Sequence, residues 1–66
     1  MTKAQRTKIK DTIRRTGIYD FPDGYYILRI SQNPAEYTLR NGITGNTVDV
    51  DWNLDRLISL CENTLT

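Results

Sequence analysis

Residues 25–31 read Tyr-Tyr-Ile-Leu-Arg-Ile-Ser, and this stretch decides the fold. It is rich in aromatic and β-branched side chains, which favour strands. The four residues before it, Phe-Pro-Asp-Gly at 21–24, form a strong turn signal because Pro presets φ, Asp bonds nearby backbone and Gly accepts the left-handed conformation. The sequence therefore predicts a hairpin between a short strand at 18–21 and a main strand at 25–31.

The register of the next two strands follows from polarity matching. A strand is predicted over residues 36–43, and the turn beyond it has two candidate tips, Asn-Gly at 41–42 and Gly-Asn at 45–46. The second tip is preferred because it sets apolar residues opposite apolar residues and Arg40 opposite Asp51.

This register collects many apolar side chains on one sheet face, which is predicted to be the core face. If residues 32–35 form the loop between the first two main strands, Leu28 pairs with Leu39, and the apolar residues of the first main strand join this face. The predicted core face comprises Tyr26, Leu28, Ile30, Tyr37, Leu39, Ile43, Val48, Val50 and Trp52.

One helix is predicted before the strands in the sequence, and a second is predicted after them. The first is a basic arm over residues 1–16, which Gly17 ends and which only Ile9 and Ile13 can anchor firmly. The second, over residues 53–65, is capped by Asp51 or Asn53. Its apolar stripe has helical spacing and consists of Leu54, Leu57, Ile58, Cys61 and Leu65, with Leu60 off the stripe.

Together the elements predict a single small α+β domain over residues 1–66. It has an N-terminal helix, an antiparallel sheet over residues 18–52, and a C-terminal amphipathic helix packed on one sheet face. The sheet has three main strands, or four if residues 18–21 pair as well. A chain of 66 residues has room for one core only.

Composition argues against several classes of function. The chain has no His, which is the commonest general base, and its single Cys61 cannot form an internal disulfide or a Cys-rich zinc site. We therefore expect no enzyme activity, no cofactor and no metal. Without a disulfide framework, a signal peptide or an apolar run of about 20 residues, we expect a cytoplasmic protein with no membrane contact.

Charge is unevenly distributed along the chain. The formal net charge is +1, but residues 1–18 carry six cations against one acid, and residues 19–66 carry three against seven. Such a basic arm is one candidate site, because clustered cations can bind nucleic-acid phosphates. Its residues are Lys3, Arg6, Lys8, Lys10, Arg14 and Arg15.

The sheet face opposite the predicted core is the other candidate site. It collects aromatic, apolar and Arg residues of the types that dominate protein interfaces. These predicted partner-binding residues are Tyr19, Phe21, Tyr25, Ile27, Arg29 and Arg40. The alternative is that the N-terminal helix covers this patch with Ile9 and Ile13.

The leading interpretation is a non-catalytic protein-binding module, an adaptor or inhibitor that occludes a surface of a larger partner and that a phage or mobile element encodes. The alternative is a nucleic-acid-binding domain that uses the basic arm and the sheet-face Arg and Tyr residues. A third interpretation is a homodimer through Leu60 and the open face. Alternating Asp49 and Asp51 offer too few ligands for a cation site, and Trp52 and Cys61 are predicted to be core residues.

The order helix, three antiparallel strands, helix resembles that of the double-stranded RNA-binding domain. That family opens its last helix with clustered lysines, where this chain has Asn-Leu-Asp-Arg at 53–56, so the resemblance covers topology and not RNA contacts. The basic start and Gly-Tyr-Tyr at 24–26 also resemble the arm-binding N-terminal domain of tyrosine recombinases over a few residues. Neither resemblance assigns a family or a function.

Overall fold

The computed structural model describes residues 1–65, with the side chains of residues 1–63. Four antiparallel strands form one sheet in the order β1-β2-β3-β4, with one helix before them and one after. This confirms the predicted α+β arrangement in its four-stranded form. The elements are α1 (Lys3–Thr16), β1 (Ile18–Asp20), β2 (Tyr25–Gln32), β3 (Ala35–Asn41), β4 (Thr47–Asp51) and α2 (Leu54–Leu65).

Local signals at both ends of α1 set its length. The Thr2 side chain accepts a hydrogen bond from the Gln5 backbone N–H, and the Gln5 side chain accepts one from the Thr2 backbone N–H, which makes a capping box. Gly17 ends the helix with φ of 87°, a conformation that costs glycine little. Ile9 and Ile13 are buried, so α1 is docked on the sheet.

The first hairpin is confirmed as the turn signal predicted it. The Phe21 N–H donates to the Tyr25 carbonyl at 2.8 Å and closes the turn. Tyr19 lies opposite Ile27 across the two strands. This pairing places Tyr19 on the same sheet face as Ile27, as the sequence predicted.

The predicted pairing of β2 with β3 is wrong over most of its length. Next to the loop, Ser31 pairs with Glu36, and this agrees with the predicted register. A bulge between Arg29 and Ser31 then shifts the pairing by one residue, so that Leu39 lies opposite Ile27 and not Leu28. Because side chains alternate between faces, this one-residue shift moves Leu39 onto the face of Ile27.

The β3–β4 turn also differs from both predicted tips. It spans residues 42–46, and the Asn41 side-chain oxygen organises it by accepting from the backbone N–H groups of Ile43 and Thr44 at 2.9 and 3.3 Å. Gly42 fits where the turn crosses the first hairpin, because an added Cβ would lie 2.7 Å from the Gly24 carbonyl oxygen. The resulting register pairs Thr38 with Val50.

Both helices cover the same face of the sheet, which we call the inner face and define by Ile27, Tyr37 and Leu39. These three residues belong to one buried cluster with side chains from α1 and α2. The full cluster is Ile9, Ile13, Phe21, Ile27, Tyr37, Leu39, Leu54, Leu57, Ile58 and Cys61.

The prediction of the core face is therefore wrong. Of its nine residues, only Tyr37 and Leu39 are buried. The bulge in β2 places Tyr26 and Leu28 on the opposite face from Leu39, and the β3–β4 register, which pairs Leu39 with Asp49, does the same for Val50. Tyr26 and Leu28 are half-buried, and the rest are exposed, among them Trp52. Trp52 was predicted to be a core residue and is 72% exposed.

The C-terminal helix agrees with its prediction. Asn53 caps it, since its side-chain oxygen accepts from the Asp55 N–H at 3.0 Å. The predicted stripe is buried from Leu54 to Cys61, while the side chain of Leu65 lies outside the described residues. Leu60 packs partly against the core, so it is not an unexplained surface residue.

Candidate functional site

The face of the sheet that neither helix covers is the candidate site, and we call it the outer face. Its centre is a row of paired residues that crosses all four strands, which we call the middle row: Ile18, Leu28, Thr38 and Val50. A second row beside it consists of Asp20, Tyr26, Arg40 and Thr47. On the other side of the middle row, strand alternation from Thr38 places Glu36, which pairs with Ser31. The bulge residue Ile30 lies next to this pair, and Trp52 follows the end of β4.

The outer face is apolar where a solvated sheet face is normally polar. An antiparallel sheet covered on one side usually alternates apolar-in and polar-out residues. Here the outward positions include Ile30, which is 50% exposed, and Val50, which is 43% exposed. Ile18, Val48 and Trp52 add further exposed apolar surface. Exposed apolar surface of this kind makes the outer face a candidate interaction surface.

The polar groups inside this patch are partly satisfied within the chain. The Thr38 hydroxyl donates to the Asp49 carbonyl oxygen at 3.2 Å, so the middle row presents little polar character. The Arg40 Nη2 donates to the Gly45 carbonyl oxygen at 3.0 Å, while the buried Nε of Arg40 has no hydrogen-bond partner among the described residues. Glu36 is exposed and has no ion pair within residues 1–63.

The structure divides the six predicted partner-binding residues between the two faces. Phe21 and Ile27 are buried beneath the helices, and Tyr19 and Tyr25 pack partly against the same core. This corrects the expectation that they form an open patch: the alternative, in which α1 covers them with Ile9 and Ile13, describes the molecule. Arg40 alone lies on the outer face. Whether any of the six contacts a partner stays a prediction.

Part of the predicted patch remains accessible along a shallow groove between α1 and β1. The groove has a volume of about 400 Å³. Tyr19 and Phe21 contact each other edge to face there, with ring centroids 4.9 Å apart. The lining residues are Met1, Gln5, Lys8, Ile9, Tyr19, Phe21 and Pro22.

Arg29 has a structural role on the inner side of the sheet. Its Nη1 donates to the Arg14 carbonyl oxygen at 3.0 Å, and its backbone N–H donates to the Gly17 carbonyl oxygen at 2.8 Å. A cation at this position satisfies the end of α1 and complements the helix dipole. Arg29 therefore joins β2 to the helix.

The six cations of the basic arm do not form one free surface. Arg6 donates to Glu62 and to Ser59, both at 3.0 Å, and Lys10 lies 3.1 Å from Asp55, so these two residues tie α1 to α2. Arg14 lies 4.0 Å from Asp11 on its own helix. Lys3, Lys8 and Arg15 have no ion pair within the described part of the chain.

The acidic residues at the end of β4 are neutralised by α2. Arg56 donates to Asp49 at 2.6 Å and also bonds to Asp51. These hydrogen bonds lower the pKa of both carboxyl groups. The predicted Arg40–Asp51 pair is wrong, because the shifted register places Asp51 opposite Tyr37 on the inner side.

Cys61 is fully buried, and burial raises the pKa of its thiol to about 11. The prediction of a buried apolar role is thus confirmed. Among the described residues, no group of three or more His, Cys, Asp or Glu side chains is placed to hold a metal ion. Neither helix, as far as residue 65, has the length and apolarity needed to cross a membrane.

No protein-family model, curated protein or solved structure matches this chain. The candidate site therefore rests on geometry and chemistry alone. The outer face was missed from the sequence, although one signal was present. β2 is apolar at consecutive positions, Tyr25 to Leu28, and this pattern is typical of a strand covered on both sides.

Proposed function

We propose that this protein is a non-catalytic protein-binding module that docks on a partner through its outer face. It acts as an adaptor or inhibitor by occluding a surface of that partner. The observation that carries the proposal is the apolar middle row, from Ile18 to Val50, on a sheet face that neither helix covers. Burying such a face contributes about 25 cal/mol for each Å² of apolar surface.

Aromatic residues at the border of the face strengthen the proposal. Trp52 is a large, rigid side chain held outward at the junction of β4 and α2. Trp, Tyr and Arg are the residue types that most often dominate binding energy at protein interfaces. Trp52, Tyr26 and Arg40 provide all three types on or beside the outer face.

Position-specific photocrosslinking tests this proposal. Benzoylphenylalanine at Trp52 should crosslink to a protein other than a second copy of this chain in a lysate of the source cells, and it should do so after nuclease treatment. The same probe at Thr7, an exposed position on α1, serves as the matched control. Val50→Lys should abolish the Trp52 adducts while leaving the circular dichroism spectrum unchanged. Adducts from Thr7 alone, or no protein adducts from Trp52, would contradict the proposal.

Nucleic acid as the partner is the competing outcome of the same test. The outer face carries both signs of charge, and two of the six arm cations are engaged with α2. A nucleic-acid interface should lose affinity steeply between low and physiological salt. A mobility shift with DNA or RNA that shows this salt dependence, together with nuclease-sensitive adducts, would favour the alternative.

A further inference from the structure

We infer that the occupant of the outer face, when no larger partner is bound, is a second copy of this chain. The inference rests on the proposed function, because both use the outer face. The two copies pack sheet against sheet, with their helices on the outside. A larger partner then competes with the second copy for the same surface.

The size of the face fits a small dimer interface. The sheet has four strands, and the longest has eight residues. At about 4.8 Å between strands and about 3.3 Å for each residue, the sheet face spans about 19 by 26 Å, or about 500 Å². A face-to-face dimer that uses most of this face belongs with the small, weaker interfaces, below the roughly 800 Å² that each partner buries in a standard one.

The arrangement of residues on β3 makes the face complementary to itself. Outward positions on this strand are Glu36, Thr38 and Arg40, so the two charged residues lie about 7 Å to either side of the middle row. A two-fold axis along the middle row places that row over its own copy. It also places Glu36 of each copy over Arg40 of the second copy.

Both charged groups have bonding capacity left for this contact. Neither Glu36 nor Arg40 forms an ion pair within residues 1–63, and the guanidinium of Arg40 donates there only through its Nη2, to the Gly45 carbonyl oxygen. Packed sheets keep their strands within about 30° of each other, and a rotation of that size keeps the two residues close. A single two-fold rotation therefore stacks the two middle rows on each other and forms both Glu36–Arg40 pairs.

Mass measurement by light scattering or sedimentation tests the inference. The wild-type chain of 7.7 kDa should have twice that mass at high concentration. Val50→Lys and Ile18→Lys should both be monomeric, since these residues lie on opposite edge strands and only face-to-face packing uses both. Thr7→Lys adds the same charge outside the face and should remain dimeric. Glu36→Lys should weaken the dimer about tenfold by opposing Arg40.

Cysteine crosslinking keeps the inference testable if a lysine variant fails to fold. On the proposed axis Ile18 meets its own copy across facing sheets about 10 Å apart, a distance too long for a disulfide. A short bis-maleimide should therefore link Ile18→Cys of the two copies, while the buried Cys61 stays unmodified. A wild-type chain that is monomeric at about 1 mM, where even weak pairs associate, refutes the dimer. So does a dimer that Val50→Lys disrupts and Ile18→Lys leaves intact, which would indicate pairing along β4. A monomeric chain that still crosslinks to protein from Trp52 would refute the dimer and support the proposed function.

Discussion

Two isoleucines on β2 provide a direct test of which sheet face is the core. Ile27 is fully buried between the helices and the sheet, and Ile30 is 50% exposed on the outer face. Removing one methylene group from a buried Ile costs about 0.5–1.5 kcal/mol in a folded protein, because burial energy is lost and a small cavity remains. Ile27→Val should lower the free energy of unfolding by an amount near the upper end of that range.

The matched variant Ile30→Val should cost less than about 0.5 kcal/mol, because half of the side chain is already in water. Both substitutions keep a β-branched side chain, so the strand propensity of β2 is nearly unchanged. Urea unfolding followed by far-ultraviolet circular dichroism measures both values. If Ile30→Val cost as much as Ile27→Val in a monomeric sample, the assignment of the inner face would be wrong.

Three further predictions concern contacts that hold the helices. Arg29→Ala should destabilise the protein by about 1 kcal/mol in thermal or urea unfolding, because the Arg14 carbonyl oxygen loses its charged donor, and Arg29→Lys should restore part of the loss. Arg56 lowers the pKa of Asp51 in the folded state, so the stability from this contact is present above the unfolded pKa of about 3.9 and is lost as the pH falls through the lower folded pKa. The free energy of unfolding should accordingly drop between about pH 5 and pH 2, and Arg56→Gln should flatten that drop, whereas an unchanged slope would refute this role. Cys61, whose thiol pKa is raised to about 11, should not react with a thiol reagent at pH 8 until denaturant is added, and rapid native-state labelling would show that the site is open.

Elements with local signals could be predicted from the sequence. The Gly17 end of α1, the turn at 21–24 and the Asn53 cap of α2 each depend on a few adjacent residues, and the structure confirms all three. The apolar stripe of α2 was equally clear, because its spacing fits one helix face. These signals define the fold class without any knowledge of long-range pairing.

The strand register could not be predicted, because the pattern of polar and apolar residues does not show where a strand contains a bulge. A bulge between Arg29 and Ser31 changes which residues face the helices, and nothing in the sequence marks it. Polarity could not correct the error, since both faces of β2 are apolar. The same ambiguity leaves apolar residues exposed on the outer face, while most of the residues predicted to form an open patch lie on the inner face.

The bulge has a consequence for changes in chain length. Arg29 pairs with Tyr37 and Ser31 pairs with Glu36, so Ile30 is the extra residue between two regular pairs. A deletion of Ile30 would leave those pairs in register and would keep every other side chain on its present face. The β2–β3 hairpin can therefore lose this residue without moving the remaining side chains to the opposite sheet face. What it would lose is a half-exposed isoleucine beside the middle row, so the deletion would change the outer face and leave the buried core intact.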